Sequence, residues 1–299
     1  MLSLQQFRVL IAIRNAGSLT KAAENLGYGA PTVTHHLNLL EAHFGAVLVE
    51  RGSRGVTFTP LGEATFREAE TIMARVDDLE RIIAEHRDAG LVTLRVGTFA
   101  SLGSQLLPPA IRELQATSNV RIEVVEAEPL QLVELLRRGE LDAALLYDLA
   151  DDPSILAMDL ELVPLLREPY RVLVAAHGSL AQQKKLDFAQ LSSASWVRPR
   201  HEEDATERVL LRACRNVGFM PKEFIRSDDL SMIHGLVSEG LCLAIMTESA
   251  ANSALGVTLK PTVQNLGERS VYFATRQGLL PAAVTQLRTL LVGLTTQHH

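Results

Sequence analysis

Residues 28–41 read YGAPTVTHHLNLLE. Pro31 suits the first turn of a helix, where a missing N–H costs nothing. From there Val33, Leu37, Leu40 and Phe44 recur at spacings of 4, 3 and 4, the signature of a helix with one buried stripe. At 100° per residue the opposite side carries Pro31, His35, Asn38 and Ala42, flanked by Thr32 and Thr34. His36 falls nearer the buried edge. The outer face is therefore polar, uncharged and free of acid. It is either simply solvated or built to touch something.

The neighbouring sequence favours the second option. Ser3 caps a first helix whose Leu4, Phe7, Leu10 and Ile11 share a face, and Gly17 stops it. Ser18 caps a short helix over 19–26 with Ala22, Ala23 and Leu26 inward, and residues 27–29 turn the chain into the third helix. Beyond it, 47–50 and 56–58 read as strands flanking Arg51-Gly52-Ser53-Arg54-Gly55. Two helices, a turn, a third helix and a basic hairpin make a winged helix-turn-helix. A helix face of hydroxyls, imidazole and amide reads base edges in a major groove about 12 Å wide. Pro31, Thr32, Thr34, His35, His36 and Asn38 are thus the candidate base-reading group, with Arg51 and Arg54 on phosphates or the minor groove.

The chain has 299 residues, enough for about two domains, and 47% of them are hydrophobic. The net charge of −6 hides an asymmetry. Residues 1–58 hold five basic and three acidic side chains, a net +2; the rest holds 24 and 32, a net −8. A basic head on an acidic body fits an anionic polymer meeting the head alone. The N-terminus lacks the pattern of a secretory leader, and no apolar run reaches the ~18 residues of a membrane span. A cytoplasmic protein without a membrane partner is expected. Cys214 and Cys242 are read as inert buried thiols, with a redox pair as the alternative.

The run FRVLIAIRNAGSLTKAAENLGYGAPTVTHHLNLLEAHFGAVLVERGSRGVTFTPLGE, residues 7–63, resembles the LysR-type transcriptional regulators. The resemblance is carried by Ala22-Ala23, Leu26, Pro31, Val33, Thr34, Leu40-Glu41, Gly45, Leu48, Arg51, Thr59-Pro60 and Gly62. One departure stands out. Where the family usually has Ser-Gln before the residue matching Pro31, this chain has Gly29-Ala30. Gly remains a tolerable cap, at a cost of a few tenths of a kcal/mol. The missing Gln shifts base reading onto Thr32, Thr34, His35 and Asn38. Where the family often has a basic residue, His35 offers an imidazole, so weaker phosphate attraction, or some pH dependence, is expected.

Thr59 caps and Pro60 opens a helix that no proline interrupts until Pro108. Within 60–87, Ala69, Ile72, Val76, Leu79, Ile83 and His86 alternate at three and four residues, a heptad seam. The seam packs either on the chain's own body or on a second copy; the resemblance implies a dimer stalk, and a homotetramer built as a dimer of dimers.

After 88–90, strand and helix patterns alternate. Strands are expected at 93–98, 120–126 and 142–147, with helices at 105–116 and 130–138 between them. That βαβαβ order predicts a parallel sheet. A second set follows: strands at 171–175, 196–198, 224–227 and 241–246, helices at 205–217 and 230–239. A strand at 269–275 and a helix at 281–293 come last. This arrangement resembles the two-lobed type 2 periplasmic-binding-protein fold of the family's effector domains, with crossovers expected near 157–164 and 264–268.

The overall expectation is an α+β chain. Its winged helix-turn-helix covers 1–58, a linker and dimerisation helix 59–89, and a two-lobed α/β effector domain 90–299. Lobe one covers about 91–160 and 268–294, lobe two about 161–267. Ligands in open α/β sheets sit beyond the carboxyl ends of strands. That rule selects Thr98, Ala100, Ser101, Leu102, Tyr147, Arg198, His201, Met246 and Thr247 as effector-binding candidates, against the alternative of solvated loop residues. Arg198 suits a carboxylate or another anion. No catalytic or P-loop motif and no metal-ligand spacing stands in useful context, so neither enzyme activity, nor a cofactor, nor a metal is expected. The expected partners are double-stranded DNA, a small-molecule effector, anionic by the Arg198 argument, and further copies of the chain.

Overall fold

The computed structural model describes residues 2–52, 55–87, 91–153 and 159–296, with only the backbone of 81 and 84–87. Two compact units result, one of Met1–Gly90 with Glu134–Asp142 and Leu279–Pro281, the other of Leu91–Val133, Ala143–Gly278 and Ala282–His299.

The first unit opens with α1 (Leu4–Ala16), α2 (Leu19–Leu26) and α3 (Ala30–Phe44). Gln6 reaches back and accepts the Ser3 N–H at 2.8 Å, fixing the start of α1. Gly17, Gly27 and Gly45 each end a helix with positive φ. Phe7, Val9, Leu10, Ile13, Ala22, Ala23, Val33, Leu37 and Leu40 close one core. Two expected core members lie outside it: Leu4 and Phe44, at the ends of their helices, are exposed.

The wing is β1 (Val49–Gly52) paired antiparallel with β2 (Gly55–Phe58), so the strands extend further into the expected five-residue tip. Glu41 ties α3 to this hairpin, because its Oε1 accepts the Leu48 and Val49 N–H groups at 2.8 and 3.1 Å. Helix α4 (Pro60–Arg87) then leaves the head. Thr59 Oγ1 accepts the Gly62 N–H at 3.0 Å as its cap. A Cβ at Gly62 would lie 2.0 Å from the Leu48 carbonyl oxygen, so only glycine lets helix and wing approach this closely. Arg14 bridges to Glu63 at 3.1 Å and lies 5.7 Å from the centroids of both the Phe58 and Phe66 rings.

After residue 90 the chain runs through β3 (Val92–Thr98), α5 (Ala100–Thr117), β4 (Val120–Glu126), α6 (Pro129–Arg137) and β5 (Ala143–Leu149). β3 pairs in parallel with both β4 and β5. Helix α5 starts five residues earlier than the sequence reading placed it and runs through Pro108 and Pro109. Next come β6 (Leu160–Pro169), β7 (Arg171–Ala175), β8 (Ser195–Arg198), α7 (Ala205–Asn216), β9 (Lys222–Arg226), α8 (Leu230–Ser238), β10 (Ala244–Met246) and β11 (Val257–Lys260). β12 (Glu268–Arg276) and α9 (Ala282–Thr296) end the chain.

One sheet has the order β4-β3-β5-β12-β6. The other is built from β10-β7-β11 and β8-β9, joined by a parallel bridge between Trp196 and Leu243. Placing the first crossover at 157–164 is therefore wrong. β6 lies antiparallel to β12 in the first sheet, so the chain changes lobe between Pro169 and Arg171. Pro164 disguised this strand in the sequence. It is tolerated because β6 is an edge strand and the pairing slips by one residue at Val271/Tyr272, opposite Leu166 and Pro164.

Candidate functional site

On the head, α3 exposes Pro31, Thr32, His35 and Asn38 together, with Thr34 and His36 half-buried. The His36 Nδ1 is enclosed without a hydrogen-bond partner. Arg51 is exposed on β1; Arg54 lies outside the described residues. Gly29 caps α3, and its carbonyl accepts the Thr32 N–H at 2.9 Å.

Along α4, Ala69 is fully buried in the head's own core with Phe66. It is thus not a free seam residue, since α1 and its neighbours already cover it. Beyond the head the expected stripe stays open: Ile72, Leu79 and Ile83 are 37%, 55% and 46% exposed, and Val76 is half-buried. The His86 side chain lies outside the described residues.

In the α/β unit, a cavity of about 110 Å³ lies at the strand ends. Ala100, Ser101, Tyr147, Arg198, Met246 and Thr247 all line it. Three candidates do not. Thr98 is buried beneath the first turn of α5, where a Cβ at Gly103 would come within 2.3 Å of its Oγ1. Leu102 is turned to the far side of α5, into a separate cleft with Gln105 and Leu166. His201 is exposed and borders an adjoining depression with Glu128, Gln131, Asp204 and Asp228.

Arg198 is in the wall but committed to protein acids. Its Nε donates to Glu207 Oε1 at 2.9 Å and its Nη1 to Glu223 Oε2 at 3.1 Å, with Nη2 also on Glu207. The hydrogen bond to Glu207 raises its pKa further. The expectation that Arg198 awaits an anion is corrected by these contacts.

The organising residue was missed in the sequence. Arg269, 5% exposed on β12, lies beside Glu168 on β6, donating from Nε at 2.8 Å and Nη2 at 2.5 Å to Oε2. Nη1 reaches Ser101 Oγ at 3.1 Å and Nη2 reaches Ser249 Oγ at 2.5 Å. The guanidinium stands 5.2 and 5.3 Å from the ring centroids of Phe99 and Tyr147. Ser249 in turn gives Glu168 its N–H at 2.9 Å and its hydroxyl at 3.0 Å. This clasp joins residues of both lobes. An arginine inside the strand pattern of β12, ERSVYFATR, was the available signal.

A second cluster also spans the lobes. The Tyr147 hydroxyl lies 3.1 Å from Glu128 Oε2 and 3.1 Å from Asp204 Oδ2. One hydroxyl hydrogen serves one carboxylate, so both contacts are hydrogen bonds only when one acid is protonated. Asp204 caps α7 and accepts the Thr206 N–H at 2.7 Å. Burial, then the nearby Asp204, pushes the Glu128 carboxyl up. Glu128 follows β4 directly, and the strand-end rule applied to that strand would have found it.

Cys214 and Cys242 are both buried, and burial pushes their thiols up to about 12 and about 11. A buried thiol with a raised pKa fits the reading of inert thiols better than that of a redox pair. Among the described residues no helix is long and apolar enough to cross a membrane.

Residues 4–63 match the bacterial regulatory helix-turn-helix protein, lysR family, and residues 90–295 match the LysR substrate binding domain. The uncharacterized HTH-type transcriptional regulator YcgK of Bacillus subtilis is 25% identical over 275 residues, covering 86% of this chain and 83% of its own. The full-length OxyR structure from Pseudomonas aeruginosa superposes with a TM-score of 0.69 at 22% identity, covering 98% of each chain. Full-length CbnR complexed with its target DNA gives a TM-score of 0.59 at 20% identity, covering 97% of this chain and 99% of that one. With an exposed polar helix beside a wing, and two α/β lobes around a lined cavity, the chain belongs to the LysR family of DNA-binding transcriptional regulators with effector-binding domains.

Proposed function

We propose that Thr32, Thr34, His35 and Asn38 read bases in the major groove, with Pro31 and His36 at the margin of the contact. Arg51 and Arg54 of the wing hold the phosphate backbone. The observation that carries this reading is the outer face of α3, which exposes Thr32, His35 and Asn38 with no acid among them. Two copies pair through Ile72, Val76, Leu79 and Ile83 of α4, and two such dimers form the tetramer. The paired heads then meet a partly palindromic site with half-sites about one helical turn, or a multiple of it, apart. A small molecule in the cavity lined by Ser101, Tyr147, Met246 and Thr247 shifts lobe closure and so the spacing of the heads. The protein acts in the cytoplasm and performs no catalysis.

The test is binding to the DNA upstream of its own gene across a salt series. Specific binding that weakens steeply with salt is expected, because phosphate contacts release counterions. Asn38→Ala should cost about 1–3 kcal/mol on the specific site with the salt slope intact. Arg51→Ala should weaken binding to all DNA and lower the slope by about 1. Sequence-blind binding by the parent protein, or equal loss on random DNA from Asn38→Ala, overturns the base-reading assignment.

A further inference from the structure

The charge of the cavity wall decides what it can hold. Its two cations are already neutralised from behind, Arg198 by Glu207 and Glu223, and Arg269 by Glu168. Among the described residues its three acids, Glu128, Asp204 and Asp228, receive neutral donors: the Tyr147 hydroxyl, the Thr206 N–H and hydroxyl, and the Arg200 backbone N–H at 3.0 Å. His201 borders these acids from the adjoining depression and is exposed to solvent. Among the described residues no arginine or lysine is paired with these acids, so the wall carries an excess of acid. An incoming carboxylate would meet three acids and two occupied arginines.

A second observation marks the same cavity as a ligand site. The Tyr170 hydroxyl and Thr247 Oγ1 both line it, are 4% and 1% exposed by residue, and have no hydrogen-bond partner. A buried hydroxyl without a partner has lost its hydrogen bonds to water and gained none in return, which is destabilising. A ligand that brings hydrogen-bonding oxygen relieves that cost. Phe99, Val197, Leu210 and Ile233 add apolar wall that suits a short carbon chain.

We propose that the effector is a small primary amine carrying hydrogen-bonding oxygen at its other end, its ammonium set on Glu128, Asp204 and Asp228 and its oxygen on the Tyr170 and Thr247 hydroxyls. An ammonium supplies three hydrogen-bond donors to acids that belong to both lobes, since Glu128 precedes α6 in the first and Asp204 and Asp228 lie in the second. Occupancy therefore favours the closed arrangement of the lobes. This inference rests on the cavity being the effector site.

The test uses three probes of one carbon frame, aminobutanol, butanediol and hydroxybutyrate, each with a terminal hydroxyl. They differ in carrying an ammonium, a hydroxyl or a carboxylate at the other end. Calorimetric titration of the full-length protein should give an affinity for the amine at least tenfold above the diol, with the carboxylate weakest. Glu128→Gln should reduce the amine's advantage over the diol, and Thr247→Val should weaken amine and diol alike. Equal binding of the three, preference for the carboxylate, or no binding of the amine at millimolar concentration overturns the proposal. A preserved amine preference in Glu128→Gln and Asp204→Asn overturns the assigned site. Operator binding is measured separately, so its failure would overturn the regulatory reading whatever the amine does.

Discussion

Replacing Arg269 by alanine tests how the two lobes are held. The guanidinium is buried and makes two hydrogen bonds to Glu168 Oε2, one to Ser101 and one to Ser249. Its loss leaves the Glu168 carboxylate, 9% exposed, with only the Ser249 N–H and hydroxyl. Removing one partner of a buried pair costs about 3–5 kcal/mol, because the remaining charge has lost its compensation. Contact with Phe99 and Tyr147 adds to the loss. For a unit of this size the lower figure lowers Tm by roughly 6–12 °C. Urea unfolding followed by fluorescence is well suited, because Trp196 is the only tryptophan, is fully buried and stacks on Phe188 in the second lobe. The double variant Arg269→Met with Glu168→Gln removes both charges and should recover at least half the loss. A loss below about 1 kcal/mol for Arg269→Ala, or no recovery in the double variant, would refute the buried-pair reasoning.

Three further outcomes are expected. Gly62→Ala must move α4 away from Leu48, so Tm should fall and operator affinity with it; an unchanged Tm would show that the wing gives way freely. Leu79→Glu together with Ile83→Glu places charge on the open stripe of α4, and sedimentation should show smaller species at the same concentration. An unaltered sedimentation profile would remove α4 from the interface. Glu128 has a folded pKa raised by burial and then by Asp204. A raised pKa means its stabilising contribution is full below the ordinary carboxylate range and lost as pH rises through the raised value. Glu128→Gln should therefore match the parent in acid and exceed it near neutrality in Tm; a parallel pH profile would contradict this.

The head was legible in the sequence because its signals are local. A helix stripe, a glycine stop or a proline in a first turn is set by residues within a few positions of one another. So Val33, Leu37 and Leu40 could be assigned to the core and Thr32, His35 and Asn38 to the outer face without coordinates. Likewise the alternation of strands and helices after residue 90 indicated two α/β lobes, and the strand-end rule led to Ser101, Tyr147, Met246 and Thr247. Such reasoning weakens where a residue's environment comes from distant chain. Ala69 fits the heptad as well as Ile72 does, but α1 covers it. Pro164 argues against a strand until β6 is known to be an edge.

The sequence by itself determined the fold class, the outward face of α3 and the lobes that enclose a cavity, because periodicity and turn chemistry are short-range. Only the tertiary structure decided the charge of that cavity. Arg198 reads as a free cation in sequence, and Glu207 and Glu223, 9 and 25 residues away, occupy it. Arg269 and Glu168 meet across 101 residues, and Tyr147 and Asp204 across 57. Electrostatic character depends on which charges lie within a few ångströms of one another, and that is fixed by how the strands are ordered in space.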